Sequence, residues 1–189
     1  MPIVKNEHIV ERWHVQIDGA DGNAEAVLKN TEDLIGYRNP PNVKVQRKKI
    51  SPGILRGALG DKREFVVVTE TKTGRLKPYQ MLINARDYGK TLDISWYLLF
   101  KLSIWRKVLV WLLMVPVLNL FIFPFFLIGT VIRGKKAGLD LDMFDEQDLR
   151  AYTTVAHHSM KEAVEKMLAD LNKDSSKIDW KSQGFLGIS

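Results

Sequence analysis

Apolar positions along this chain change period several times, and each change marks a predicted element. Ile9, Trp13, Val15 and Ile17 alternate with Val10, Arg12, His14 and Gln16, with Glu11 breaking the pattern. That alternation predicts a half-buried strand. Over residues 23–36 the period becomes helical, because Ala24, Val27, Leu28, Thr31, Leu34 and Ile35 recur at steps of three and four. Asn23 is placed to cap this helix and Gly36 to stop it. A Pro-Pro loop follows at Pro40 and Pro41, and Val43 and Val45 then open a basic strand. Residues 64–71 are rich in Val and Thr. Thr73-Gly74 marks a turn before a strand over 77–86, and Tyr88-Gly89 marks another before 91–100. In that last strand Leu92, Ile94, Trp96, Leu98 and Phe100 share one face. The expected order is β-α-β followed by a three-strand meander, a small mixed α+β domain over residues 1–100.

Periodicity then disappears. Residues 108–132 carry no charge, and eighteen of these 25 are Val, Leu, Ile or Phe. On an insertion scale those eighteen contribute roughly −5 to −11 kcal/mol, enough to outweigh Asn119, Pro116 and Pro124. A straight helix of this length would be about 37 Å long, against a hydrocarbon core of about 30 Å. The segment is therefore expected to be membrane-embedded and Pro-kinked. Its anchor residues are Trp105, Trp111, Pro116, Asn119, Pro124 and Gly129. Lys101, Arg106 and Lys107 in front and Arg133, Lys135 and Lys136 behind are placed for headgroup contact. Because cations flank both ends, the positive-inside rule selects no orientation for a single span. A shallow hairpin with arms of about 12 residues, or about 18 Å each, satisfies both flanks. Single span and re-entrant hairpin both stay open.

Beyond this run, residues 145–171 form a long amphipathic pattern. Leu149, Tyr152, Ala156, Met160, Ala163, Met167 and Leu171 make one apolar stripe. The stripe is suited to intramolecular packing or to a helix interface with a second copy or another subunit. Asp145 is the expected N-cap, with Phe144 packing on Leu149 as a staple. Trp180, Phe185, Leu186 and Ile188 then leave an apolar end that would dock on the domain, the bilayer or a partner.

Charge divides the same way as hydropathy. Residues 1–91 hold 16 Lys and Arg against 11 Asp and Glu, residues 92–136 hold 6 against 1, and residues 137–189 hold 6 against 10. Three pieces are expected: a domain over 1–100, an embedded segment over 101–136 and an acidic helix with its tail over 137–189. The absence of Cys excludes disulfides, thiolate catalysis and Cys-based zinc sites. The first eight residues are polar and lack an apolar signal region, so a membrane location with a cytoplasmic N-terminal domain is expected.

Candidate chemistry is sparse. His158 and Glu162 sit one turn apart beside His157 and Lys161, but the two-His spacing of a zinc helix is missing. His8 and His14 have no evident partners. Residues 51–60 are glycine-rich without the spacing of a phosphate-binding loop. No catalytic, cofactor or metal residue is assigned. Lys44, Arg47, Lys48, Lys49, Arg56, Lys62 and Arg63 form a basic concentration. Anionic headgroups, at about 1 kcal/mol per cation, suit it better than nucleic acid does. The expected function is a membrane-anchored accessory or scaffold subunit, with an anionic-lipid or anion sensor as the alternative. An enzyme acting on a membrane substrate is a third reading, with His14, His157 and His158 as its general bases. The expected partners are membrane lipid and a protein partner or a second copy.

Overall fold

A computed structural model describes residues 9–50, 63–72, 75–100, 141–184 and 186–189. The order is β1 (Ile9–Asp18), α1 (Ala24–Arg38), β2 (Val43–Ile50), β3 (Arg63–Glu70), β4 (Tyr79–Tyr88), β5 (Thr91–Phe100), α2 (Met143–Asp170) and β6 (Gln183–Gly184). The strands form one six-stranded antiparallel sheet in the order β2-β3-β4-β5-β1-β6. The α+β expectation holds. The meander is one strand longer than expected, because β2 joins it as an antiparallel edge.

Alternation decides which side of the sheet receives the helices. Trp13 and Ile17 of β1, Val66 and Val68 of β3, Met81 and Ile83 of β4, and Leu92, Ile94, Trp96 and Leu98 of β5 enter one core. The same core takes Val27, Leu28 and Ile35 from α1, and Leu149, Tyr152, Ala156, Met160, Val164, Met167 and Leu168 from α2. A period-2 face thus meets two period-3.6 faces, which is how a sheet and a helix layer bury each other. The other face carries a smaller cluster of Ile50, Val67, Leu82 and Leu99, with Ile9, Phe65 and Tyr97 packed beside it. Apolar residues on both faces of β3, β4 and β5 explain why their sequences read as near-continuous hydrophobic runs.

Four details of the helices differ from the sequence reading. Helix α1 runs to Arg38 and stops where Asn39 turns left-handed at φ 42° and ψ 56°, with its N–H reaching back to Ile35 and Gly36. Asparagine tolerates that conformation better than most residues do. The Asn23 side chain makes no cap and instead donates to the carbonyls of Ala20 and Asp21. Helix α2 begins earlier than expected because Asp142, not Asp145, is the N-cap, accepting from the Asp145 N–H at 2.9 Å. Phe144 is 70% exposed, so the proposed staple on Leu149 does not form.

The stripe on α2 is used within the chain. Leu149, Tyr152, Ala156, Met160, Ala163 and Met167 are all buried, and only Leu171, 36% exposed, falls outside. With that face committed to the sheet and α1, it offers no surface to a second copy. The piece after residue 137 therefore completes the core begun by residues 9–100. The 108–132 run lies outside the described residues, as do Trp105, Trp111, Pro116, Asn119, Pro124, Gly129 and the six flanking cations. Among the described residues no helix is long and apolar enough to cross a membrane.

Candidate functional site

The strands share two ends. One end, called here the near end, carries Ile9, Val43, Glu70, Tyr79 and Phe100; the far end carries Asp18, Ile50, Arg63, Tyr88 and Thr91. Helix α2 begins at the near end. Arg75, in the β3–β4 connection, donates to Asp142 at 2.6 Å and to Asp145 at 3.1 Å. Tyr79 opens β4 there, with its ring 5.0 Å from that of Phe100. The Asp145 N–H and the Arg75 charge hold the Asp142 carboxyl below its ordinary range, and bonding to Asp145 raises the Arg75 guanidinium. Two apolar side chains remain outside this polar knot, Met143 at 65% and Phe144 at 70% exposure. The chain thus leaves the sheet at Phe100 and returns at Asp142 on the same end.

Deeper along α2 lies the most unusual titratable group. His157 is fully buried, with its ring beside those of Trp13, Trp96 and Trp180. Trp96 Nε1 donates to His157 Nδ1 at 3.0 Å, so the imidazole is neutral with its proton on Nε2. That Nε2 has no partner among the described residues. Burial, reinforced by His158 and Lys161, pushes its pKa down to about 4. A general base needs access to a substrate proton. This ring is walled in by indoles, so its chemistry is that of a core histidine.

Sequence reasoning passed over Glu11 as a blemish, yet it holds the C-terminal end of the chain. Its carboxylate is buried and accepts from Ser182 Oγ, from Leu186 N at 2.9 Å and from Ile188 N at 3.4 Å. Those donors offset the cost of taking a carboxylate out of water. Trp180 stacks on Trp13 at 5.2 Å, and Trp13 Nε1 donates to the Asp179 carbonyl at 2.7 Å. Gly184 is required where β6 meets β1, because a Cβ there would come within 2.7 Å of the Val10 carbonyl oxygen. The apolar end therefore docks on the domain. A lone acid in an apolar strand phase, matched to an apolar C-terminal segment containing Ser182, was the available signal.

Other candidates separate in space. Lys44, Lys48, Lys49 and Arg63 are exposed, but Arg47 is drawn to the helix side, where it pairs with Glu25 and Glu32. Bonding to Glu25 raises its pKa further. Arg56 and Lys62 lie outside the described residues, with the glycine-rich loop. Lys48, Lys49 and Arg63 sit toward the far end, away from Phe100 and Asp142. His14 Nε2 lies 3.1 Å from Asp93 Oδ1, close enough to pair as ions but without hydrogen-bond alignment. His158 contacts the Ser189 carbonyl at 3.1 Å, and Glu162 pairs with Arg38 at 2.6 Å, so the two do not converge on a common ligand. No group of three His, Cys, Asp or Glu able to hold a metal occurs among the described residues. An open groove of about 520 Å³ beside β1 is lined by His14, Ile17, Lys173, Asp174, Lys177 and Asp179. Its cations and carboxylates interleave, so it presents no single sign of charge to a ligand.

No family model matches the chain, and no curated protein matches it. Among solved structures, the crystal structure of TTHA0849 from Thermus thermophilus is 13% identical, spanning 84% of this chain and 97% of that one. Its TM-score of 0.27 is too low to carry an argument.

Proposed function

We propose that this protein is a membrane-anchored accessory or scaffold subunit, which holds an α+β domain against the bilayer surface. The observation that carries the reading is the uncharged run over residues 108–132, bounded by Lys107 and Arg133, which begins eight positions after the end of β5. Its eighteen Val, Leu, Ile and Phe residues favour lipid by roughly 5 to 11 kcal/mol. A domain tied this closely to an anchor works within a short distance of the membrane. It offers a partner the outer faces of α1 and the sheet edges, since the α2 stripe is already buried. Extraction of the full chain from membranes with detergent, followed by size measurement, tests this. A larger assembly, with itself or a copurifying subunit, supports the scaffold role. A strictly monomeric particle contradicts it.

A second reading, a sensor of anionic lipid or a free anion, is favoured by the exposed cations Lys44, Lys48, Lys49 and Arg63 around β2 and β3. Cations near an anionic surface contribute about 1 kcal/mol each. Binding of the full chain to neutral and anionic vesicles at two salt concentrations discriminates. Equal binding to both, without salt dependence, removes the sensor reading.

A further inference from the structure

We infer that β5 and α2, the elements on either side of the apolar run, lie on one face of the bilayer, and that the near end of the domain, with Met143 and Phe144, is the surface seated on the lipid. This rests on the membrane reading above and adds the topology, which the flanking charges leave undecided. Strand β5 precedes the run and helix α2 follows it, yet the two belong to one hydrophobic core. Trp96 of β5 is bonded to His157 of α2, and Arg38 of α1 is paired with Glu162 of α2. Two elements that bury each other lie on the same side of any membrane.

Reach and charge both disfavour a single crossing that doubles back. After one span, Ile132 would sit across a core of about 30 Å. The residues between Ile132 and Asp142 would return across it only when almost fully extended, since ten steps reach about 36 Å at most. They would also draw Arg133, Lys135 and Lys136 through the hydrocarbon. Flanks that stay on one face avoid both, and in sequence cations stand at both ends of the run, with Pro116 and Pro124 bracketing Asn119 near its centre.

The exits also fix which surface faces the lipid. Phe100 and Asp142 are on the near end, eight positions before Val108 and ten after Ile132. Met143 and Phe144, two large apolar side chains left in the open, occupy that end. Exposed apolar groups beside a lipid anchor are accounted for by lipid itself. The exposed cations Lys48, Lys49 and Arg63 lie toward the opposite end of the sheet. Exposed Lys44, Lys72, Arg75 and Lys77 stand at the near end as well, so the bilayer contact combines apolar groups with cations.

The chain has no cysteine, so single cysteines report cleanly. Full-length Lys29→Cys and Lys177→Cys proteins, both altered at exposed positions, are inserted in sealed vesicles of one orientation and treated with a membrane-impermeant maleimide. Both sites labelled, or both protected until the vesicles are opened, is the expected result. One labelled and one protected overturns the single-face topology while leaving membrane attachment intact. Failure of the chain to float with the vesicles overturns the anchor itself, and the inference with it. For the seat, a fluorophore at Phe144→Cys is expected to be quenched several-fold more by lipid-borne quencher than one at Lys177→Cys. Equal quenching overturns it.

Discussion

The two ends of the sheet differ in kind. At the near end the chain leaves at Phe100, returns at Asp142, and exposes Met143 and Phe144 beside a polar knot of Arg75, Asp142 and Asp145. Toward the far end stand Lys48, Lys49 and Arg63, exposed and basic. Strand β2 alone separates the ends by about 26 Å, at about 3.3 Å per residue. Exposed cations also stand at the near end, at Lys44, Lys72, Arg75 and Lys77, so what sets that end apart is its exposed apolar pair and the exit and return of the chain. On the proposed membrane reading, the difference teaches that the apolar pair, not the distribution of charge, distinguishes the surface that meets lipid.

Breaking the layer that ties the two ends together should have the largest effect. Leu149 and Met160 are fully buried between α2 and the sheet. Leu149→Ala or Met160→Ala is expected to cost about 2–5 kcal/mol in urea unfolding. Probes on α1 and α2 should lose structure together. Independent melting of α2 would dissolve the comparison, since the return point would then be free of the near end.

Next in size is the response to acid. Because His157 titrates near 4 when folded and near its ordinary 6.5 when unfolded, the unfolded chain binds the extra proton between these values. Stability is fully present above pH 6.5 and falls as the pH drops toward 4, by about 3 kcal/mol for this group. His157→Gln should flatten that slope in unfolding measured from pH 7 to 4. An unchanged slope would place the acid response elsewhere.

The C-terminal clasp comes third. Glu11→Ala removes the acceptor for two buried N–H groups and the Ser182 hydroxyl, and should cost about 1–3 kcal/mol. Hydrogen exchange over residues 182–188 should rise while the β3–β4 pairing stays protected. The smallest effect belongs to the far end. Lys48→Glu with Arg63→Glu should change stability by no more than about 0.5 kcal/mol, since both are exposed. Flotation with neutral vesicles should be unaffected. A large loss there would show that charge, not the apolar run, holds the protein on the membrane.

Much of this arrangement was legible from period alone. Strands β1 to β5 and both helices follow their hydrophobic patterns, and the shared face of Leu92, Ile94, Trp96, Leu98 and Phe100 is the one that meets the helices. Caps were harder to read. At α2 Asp142, Asp145 and Glu146 compete within five positions, and Arg75, distant in sequence, stands beside Asp142 and Asp145. The Arg47 cation could not be told from its neighbours, because only the strand's facing decides that it meets Glu25 and Glu32. The blemish at Glu11 and the choice between a surface and a packed histidine at His157 have one cause. A buried polar group is understood through its partners, and those partners lie in segments 171 and 61 residues away, respectively.

On the proposed membrane reading, α1 and α2 lie on one side of the bilayer as parts of one body. Arg38 and Glu162 are paired at 2.6 Å across these helices, one before the apolar run and one after it. With Arg38→Cys and Glu162→Cys introduced together in a chain otherwise free of cysteine, a short bis-maleimide is added to the protein in its native membrane. Recovery of the peptide joining positions 38 and 162 within one chain is the predicted result. Efficient modification of both cysteines with no such joined peptide would contradict it.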